Sequence, residues 1–259
     1  MRIATWNVNS LRARLDIAVA WLAQNGPDVV CLQETKMTDD IFPVAALAQV
    51  GYQAVFSGQK TYNGVAIVAR QPLTDVVTAL PQAPGGDEKR FIAATVQGIR
   101  VINVYVPNGQ EVGAPKFVYK LAWLDCLYRF LVSTHRPTDP LVLCGDFNIA
   151  PEARDVYDAE KLDGTILFHP DERAAFARFL AWGLYDTLRL HHQETGLYSW
   201  WDYRVAAFRR NLGYRIDHIL ATLPVAQRCT GVELVRELRS APKPSDHIPV
   251  VVAWDHVNT

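Results

Sequence analysis

The sequence lacks the features that would indicate several common classes of protein. It has only four cysteines, Cys31, Cys126, Cys144 and Cys229, and no C-x-x-C pair, so neither a disulfide framework nor a cysteine-based zinc site is indicated. It contains no G-x-S-x-G and no H-E-x-x-H motif, which argues against an acyl-enzyme and a zinc peptidase. The formal net charge is −1, so no global positive field attracts a polyanion, although a local basic patch could.

Long apolar stretches are also missing. No run approaches the ~18 residues that are needed to span a bilayer. The segment Met1–Trp6 enters a strand pattern directly, without the composition of a signal peptide. We therefore expect an intracellular, cytoplasmic protein without membrane attachment, nucleoid-associated if its source is bacterial.

The 259 residues are 49% hydrophobic, enough for a substantial core. Helical spacing appears around Leu11–Leu22, over Lys116–Thr134 and over Asp171–Trp182. Strand patterns cover Ile3–Val8, Val29–Leu32, Gly51–Ser57, Gly64–Ala69, Phe91–Val96, Arg100–Val106, Leu141–Cys144, Ser199–Trp201, Arg215–Leu220, Val232–Leu238 and Ile248–Trp254.

The strands from Gly51 to Val106 follow one another at hairpin spacing, with a turn predicted at Gln97-Gly98. This spacing argues against a doubly wound parallel sheet. We predict an α/β fold: a four-layer α/β sandwich in which two mixed, mostly antiparallel sheets pack face to face with helices outside. No linker divides the chain, so residues 1–259 are expected to form a single catalytic domain.

Polar residues follow several of these strands. Asp146 comes at the end of the apolar run Leu141–Cys144, after Gly145, and Asn148 lies two residues further on. The two side chains could share a reactive site, or they could form an Asx turn that only satisfies loop amides. Glu34 likewise ends a buried run, where a carboxylate needs either a metal or an ion pair, for example with Lys36.

The first and last strands supply further candidates. Asn7 and Asn9 share one face of the first strand by its period-2 alternation, although lone amides often only fill hydrogen bonds. Asp217 lies in an apolar strand and needs a partner, which His247 could provide. Asp246, beside His247, strengthens the case for a site. The remaining histidines, which we expect at the surface, are His135, His169, His191, His192 and His256.

Together these clusters suggest one active site assembled from distant segments. Carboxylates and amides with a single imidazole suit Mg²⁺ or Mn²⁺, which prefer oxygen ligands and keep several waters. This combination fits phosphodiester hydrolysis, in which a metal screens the phosphate, an imidazolium binds its oxygens and a carboxylate activates water.

The chain resembles the exonuclease III family of apurinic/apyrimidinic endonucleases, within the endonuclease/exonuclease/phosphatase superfamily. The resemblance covers nearly the whole length and is carried by Asn7–Arg14, Leu32–Lys36, Tyr105–Gly109, Gly145–Asn148, Ser199–Arg204, Arg215–Asp217 and Ser245–Pro249. It implies a Mg²⁺- or Mn²⁺-dependent DNA-repair enzyme that cuts duplex DNA 5′ to abasic sites. It further implies 3′–5′ exonuclease and 3′-phosphodiesterase or phosphatase activity, and a monomer without an obligatory protein partner.

The resemblance also implies roles for individual residues. The catalytic set would be Tyr105, Asp146, Asn148, Asp217 and His247. The metal site would involve Glu34, Asn7, Asp246, Asp146 and Asn148. Asn9 departs from relatives with aspartate there, which leaves its role in metal binding open.

Substrate binding would involve Asn108, an apolar pocket of Trp200, Tyr214 and Ile216 for a flipped abasic sugar, and basic residues that contact phosphates. Arg209 and Arg210 lead the basic candidates, and Arg204, Arg215, Lys36, Lys60, Arg12 and Lys116 are further ones. The aromatic residues could instead be ordinary core, and the basic residues ordinary surface charge.

Two other functions remain open at this point. The same site could act on an inositol phosphate or a sphingomyelin head group, although the W-W-D-Y-R segment at Trp200–Arg204 favours DNA. The fold could also bind DNA without cutting it, although every expected catalytic position holds a competent residue.

Overall fold

The computed structural model describes Met1–Asp255. Its strands are β1 Arg2–Asn7, β2 Val29–Gln33, β3 Gln53–Ser57, β4 Val65–Ala69, β5 Thr74–Val77, β6 Phe91–Val96, β7 Ile99–Tyr105, β8 Leu141–Asp146, β9 Leu184–Asp186, β10 Asp217–Thr222, β11 Cys229–Leu234 and β12 Val250–Trp254. Its α-helices are α1 Leu11–Asn25, α2 Val44–Gln49, α3 Pro115–Thr134, α4 Ala159–Leu162, α5 Pro170–Trp182, α6 Thr187–His191, α7 Ala207–Arg210 and α8 Leu223–Ala226. Across this part of the chain, no helix combines the length and apolarity needed to cross a bilayer.

The strands form two six-stranded sheets. The order is β11-β12-β1-β2-β4-β3 in the first sheet and β5-β6-β7-β8-β10-β9 in the second. The pairs β1–β2 and β7–β8 are parallel, and the other neighbouring pairs are antiparallel. The predicted pair of mixed, mostly antiparallel sheets is confirmed, as is the hairpin turn at Gln97-Gly98, where Val96 pairs with Ile99.

Alternation along the strands places apolar side chains on both faces of each sheet, so each sheet has an inner and an outer core. The inner core contains residues of both sheets, such as Ile3 and Val101. Outside the second sheet, Leu124 and Phe176 of α3 and α5 pack on it, and outside the first, Leu22 of α1 does so. The result is the predicted four-layer sandwich.

The local sequence explains where the two long outer helices on the second sheet begin and end. Both α3 and α5 begin with proline. Proline lacks a backbone N–H, and at the first position of a helix that group would have no partner within the helix. In α5, His169 and Glu172 form a capping box, and Gly183 ends the helix at φ 124°. The predicted helices over residues 116–134 and 171–182 are therefore confirmed, each extended by one residue at its start.

The strands β5 and β9 were not predicted, and the strand predicted over Arg215–Leu220 is observed over Asp217–Thr222. Two other predicted strands differ more strongly from the observed ones. Ser199–Trp201 is not a strand, because Trp200 makes only isolated bridges, to Tyr214 and His247. The strand predicted over Val232–Leu238 begins at Cys229 and ends at Leu234, and a 3₁₀ turn follows at Arg236–Ser240. Apolar periodicity cannot distinguish a strand from an irregular segment that other loops hold in place.

The arrangement of the strands decides where polar residues meet. The parallel pair β1–β2 ends at Asn7 and Gln33, and the parallel pair β7–β8 ends at Tyr105 and Asp146. In the antiparallel neighbour β10, the first residue, Asp217, stands opposite Asp146. The polar residues at the ends of these strands therefore lie along one edge of the sandwich.

Candidate active site

An imidazole between two carboxylates forms the centre of this edge. His247 Nδ1 lies 2.8 Å from Asp217 Oδ2, and its Nε2 lies 3.8 Å from Asp146 Oδ2. All three side chains are buried. The two carboxylates come from the paired ends of β8 and β10, while His247 lies in the loop before β12, so the predicted Asp217–His247 contact is formed.

The surroundings of His247 favour its charged form. Burial lowers the pKa of the imidazole, but the carboxylates of Asp217 and Asp146 outweigh that effect and raise the pKa to about 10. His247 is therefore an imidazolium at neutral pH. Nδ1 donates to Asp217, and Nε2–H is left to serve a negatively charged group in the cleft.

Asp146 is poised near neutrality. Burial raises the pKa of this carboxyl to about 7, against the opposing effect of His247. Oδ1 accepts from the backbone N of Asn148 at 2.8 Å, and Oδ2 accepts from Asn7 Nδ2 at 2.9 Å. A carboxyl with such a pKa is suited to exchange a proton with water at physiological pH.

The strand position before Asp146 requires glycine. Gly145 has φ 143°, and a Cβ on it would lie 1.9 Å from Val104 O on the neighbouring strand. No side chain fits there, which explains why β7 and β8 can bring Tyr105 and Asp146 level at their ends.

Glu34 completes the acidic side of the site. The Nδ2 of Asn7 donates to Glu34 Oε1 at 2.8 Å as well as to Asp146, and Lys36 Nζ lies 2.9 Å from Glu34 Oε2. The ion pair with Lys36 that the sequence left open is therefore present. Glu34, Lys36 and Asn148 all have positive φ, between 51° and 53°, so the backbone at this edge is held in a sparsely populated conformation.

The donor set fits a divalent cation with a preference for oxygen. Candidate ligand atoms of Glu34, Asp146 and His247 lie within 4.8 Å of one another. An imidazolium has no free lone pair, so the two carboxylates, and not His247, are the side chains able to hold the ion. The second oxygen of Asp217 is buried without a hydrogen-bond partner among residues 1–255.

Asp246, a predicted metal residue, has both oxygens engaged. Oδ1 accepts from Asn9 Nδ2 at 3.0 Å and Oδ2 from Trp200 Nε1 at 2.9 Å. Burial alone would raise the pKa of Asp246, but His247 and these hydrogen bonds keep it below the usual value. Asn9 follows the end of β1 instead of sharing a strand face with Asn7, and its side chain reaches Asp246 and Lys36.

Two amides and a phenol line the other side. Asn108 Nδ2 donates to Asn148 Oδ1 at 3.0 Å, and Asn148 Nδ2 donates to Val106 O at 3.0 Å. Burial, with Glu34 and Asp146 nearby, raises the pKa of Tyr105 well above its ordinary value. Tyr105 therefore keeps its proton and presents an O–H donor.

The predicted aromatic wall adjoins the imidazolium. The rings of Trp200 and Tyr214 are 5.5 Å apart and those of Trp200 and His247 are 6.4 Å apart. Tyr157, which the sequence did not single out, packs edge-on against Tyr214 at 5.8 Å. Ile216 is fully buried behind these rings and supports the wall from inside.

The basic residues occupy different environments. Arg209 and Arg210 on α7 are exposed, as a phosphate contact requires. Arg215 is buried, 1% exposed, and pairs with Asp155 and Asp186, so its suggested role as a phosphate contact is wrong. Of the histidines expected at the surface, His191 is exposed and His135, His169 and His192 are half-buried, while His256 lies outside the described residues.

Several residues that shape the site were not singled out individually in the sequence. Ser199 Oγ accepts from the backbone N of Ile216 and of Asp217 at 3.1 and 3.0 Å. Ser245 Oγ donates to Asn7 O at 2.7 Å and so ties the His247 loop to β1. Lys120 lies three residues after Phe117, on the apolar stripe of α3. This position on the stripe could have indicated that the lysine is buried.

Several known proteins are similar to this chain in sequence and in fold. The profile of the endonuclease/exonuclease/phosphatase family matches residues 4–247. An exodeoxyribonuclease III from Haemophilus influenzae is 34% identical, over 96% of this chain and 98% of its own length. Among solved structures, the 3′ phosphatase NExo from Neisseria, bound to a product DNA hairpin, superposes with a TM-score of 0.95 at 47% identity, covering 99% of this chain and 100% of its own.

An AP endonuclease from Archaeoglobus fulgidus superposes equally well, with a TM-score of 0.95 at 44% identity and coverage of 99% of this chain and 100% of its own. These likenesses extend over the strands that carry the His247 cluster and over the sheets behind them. The chain is accordingly a member of the endonuclease/exonuclease/phosphatase family.

Proposed function

We propose that this protein is a metal-dependent DNA-repair hydrolase that cuts duplex DNA 5′ to abasic sites and also processes 3′ ends. The observation that carries the proposal is the buried Asp217–His247–Asp146 array beside Glu34. The names of the relatives supply the substrate: exodeoxyribonuclease III, AP endonuclease and 3′ phosphatase all describe enzymes of DNA ends and abasic sites.

Each side chain has a task that its chemistry permits. His247, fixed by Asp217, donates Nε2–H to a non-bridging oxygen of the scissile phosphate as negative charge accumulates there. Asp146 orients the attacking water and accepts its proton. Asn148 and Asn108 hold the water and the phosphate, and Tyr105 donates its O–H to the phosphate.

Glu34 and Asp146 would hold Mg²⁺ or Mn²⁺, with Asn7 and Asp246 close to the ion or its waters. A divalent ion supplies charge that neutralises the phosphate and stabilises the departing oxygen. The ammonium of Lys36 lies 2.9 Å from Glu34 Oε2 and would share that carboxylate with the ion.

The wall of Trp200 and Tyr214, supported by Ile216, would receive a deoxyribose that carries no base. Turning such a sugar out of the helix breaks no base pair and little stacking, which favours abasic sites over normal nucleotides. Arg209 and Arg210 would bind backbone phosphates on this side.

A second candidate is an enzyme that acts mainly on 3′ ends. The 47% identity to the Neisseria 3′ phosphatase over nearly the entire chain favours it. Both candidates would use the same catalytic residues.

One substrate panel tests both candidates. Duplexes carrying an internal abasic analogue, a recessed 3′ end or a 3′ phosphate are incubated with the protein in Mg²⁺ and in EDTA. Metal-dependent incision at the abasic analogue supports the first proposal, and 3′-end processing alone supports the second. Hydrolysis of inositol phosphate or sphingomyelin head groups without DNA cleavage, or DNA binding without any cleavage, contradicts both.

We further propose that residues 1–259 act as one catalytic domain and as a monomer without an obligatory protein partner. A substrate of chromosomal DNA would place the protein in the cytoplasm of a bacterial source, at the nucleoid. Light scattering on the active protein tests the monomer.

A further inference from the structure

A lysine with no exposure to solvent lies directly behind the site. The side chain of Lys120, on the inner face of α3, is 0% exposed. Its ammonium has three N–H groups and three partners. Nζ donates to Asn148 O at 2.6 Å, to Asn108 O at 3.1 Å and to a carboxylate oxygen of Glu172.

The two backbone carbonyls belong to Asn108 and Asn148, whose side-chain amides also bond each other in the site. Asn108 Nδ2 donates to Asn148 Oδ1 at 3.0 Å. Both lie in turns that leave the sheet, since Asn148 has φ 51° and Gly109, after Asn108, has φ 91°. A turn of this kind leaves its carbonyl without a strand partner. Lys120 therefore bonds the backbone of two residues whose side chains face the substrate.

Glu172 fixes the lysine in turn. Its second oxygen accepts the backbone N of His169 at 3.0 Å, as part of the capping box that starts α5. The pair thus joins α3, the start of α5 and both turns of the site at one point. Because such a buried pair adds little net stability compared with apolar side chains of similar volume, its effect is expected in geometry more than in folding free energy.

We infer that Lys120 is a positioning residue: by bonding the carbonyls of Asn108 and Asn148 it sets the distance and angle at which their amides present themselves to the scissile phosphate. This inference rests on the proposed function, since it assigns Lys120 to the same phosphodiester cleavage. It predicts an effect on turnover that is separable from any effect on stability, because a misplaced group lowers the rate while binding persists.

The experiment compares Lys120→Met, Glu172→Gln and the double variant Lys120→Met with Glu172→Leu, on a duplex with an abasic analogue in Mg²⁺. The double variant removes both charges together, so neither is left unpaired, but it also removes the hydrogen bonds to Asn108 O, Asn148 O and His169 N. We therefore expect its Tm to fall while the protein stays folded at the assay temperature. Its kcat should fall about 10–100-fold, with KM changed less than about threefold.

Glu172→Gln separates the ion pair from the carbonyl contacts. This variant keeps the nitrogen that bonds Asn108 and Asn148, so its kcat should exceed that of Lys120→Met even where both lower the Tm. Arg178→Met is the matched control, because Arg178 and Asp125 link α5 and α3 on the outside at 2.9 Å. Its kcat should match the wild type.

Two outcomes would overturn the inference. One is a folded double variant with wild-type kcat. The other is a kcat of Glu172→Gln as low as that of Lys120→Met, which would assign the effect to the ion pair and not to the carbonyls. Failure of the wild-type protein to cut any DNA substrate would instead contradict the proposed function, so the two failures can be told apart.

Discussion

Two buried charge clusters lie side by side in this protein and differ in whether their charges are balanced. In one, the guanidinium of Arg215 bonds both oxygens of Asp155 and of Asp186, and Arg189 adds a second cation to Asp155. In the other, the carboxylates of Asp146, Asp217 and Glu34 lie beside only two cations, the imidazolium of His247 and the ammonium of Lys36. The two clusters meet on one short segment, where Arg215 and Asp217 are two residues apart.

The difference in charge balance is reflected in the pKa values of the carboxyl groups. Burial alone would raise the pKa of Asp155, but Arg215 and Arg189 hold it below its usual value. Burial, together with the nearby carboxylate of Asp217, raises the pKa of Asp146 to about 7 against the lowering effect of His247. Balanced charges hold the chain together, whereas the unbalanced group is ready to take up a cation or a proton.

Asp146→Asn should have the largest effect. Removing the proton acceptor is expected to lower abasic-site incision about 10²–10⁴-fold, while affinity for abasic DNA stays similar. The Tm should not fall, because a neutral amide replaces a carboxylate that burial disfavours. Single-turnover kinetics and a binding titration check this, with Asp125→Asn as the exposed control. Incision within tenfold of the wild type would remove Asp146 from the mechanism.

Asp155→Asn tests the balanced cluster. It should lower the stability of the protein, whereas Asp146→Asn should lower its activity. Losing one partner of a buried ion network is expected to lower the free energy of unfolding by about 3–5 kcal/mol. Urea unfolding measures the loss. The matched control is Asp163→Asn, whose exposed ion pair with Arg173 should contribute only about 0–1 kcal/mol. Equal losses for both variants would mean that the Arg215 network is no stronger than a surface pair.

Asp217→Asn should shift the pH dependence of incision. The imidazolium is the form that serves the phosphate, so activity is present below the pKa of His247, about 10, and falls as the pH rises through it. Removing the Asp217 carboxylate lowers that pKa, which should move the alkaline limb down by about 1–3 pH units. Rates from about pH 6 to about pH 11 on a stable abasic analogue measure the shift. An unmoved limb would show that another group titrates there.

The smallest effect is expected for Arg209 and Arg210, two exposed arginines that lie outside both clusters. Arg209→Ala with Arg210→Ala should weaken DNA binding and reduce the slope of log K against log salt by up to about 2, because each lost phosphate contact removes about 0.9. Titrations at several salt concentrations test this, with Arg129→Ala and Arg178→Ala as the control pair. An unchanged slope would mean that these two arginines do not meet DNA.

Much of the fold could be predicted because the responsible signals are local. The strands that lead to Glu34 and Asp146 follow from apolar runs, whereas their parallel pairing with β1 and β7 is known only from the structure. The long helix α3 follows from its apolar stripe. The segment Ser199–Trp201 could not be predicted, since its conformation depends on bonds to Tyr214 and His247 that lie far along the chain.

The site residues also divide into those whose contacts could be predicted from the sequence and those whose contacts could not. The pairing of Asp217 with His247 could be anticipated, because a buried aspartate requires a partner and the candidates were few. The environment of Arg215 could not, because nothing near it in the chain indicates Asp155 or Asp186, which are 60 and 29 residues away. The orientation of Asp246 toward Asn9 and Trp200 was likewise hidden.

The chain's own order of residues determined which chemical groups stand at the ends of strands, and hence that oxygen donors and one imidazole would gather. Only the packing of the two sheets decided which charges became neutralised and which stayed reactive. The physical reason is that a side chain's type is local, whereas its burial and its partners depend on segments that approach each other only once both sheets have formed.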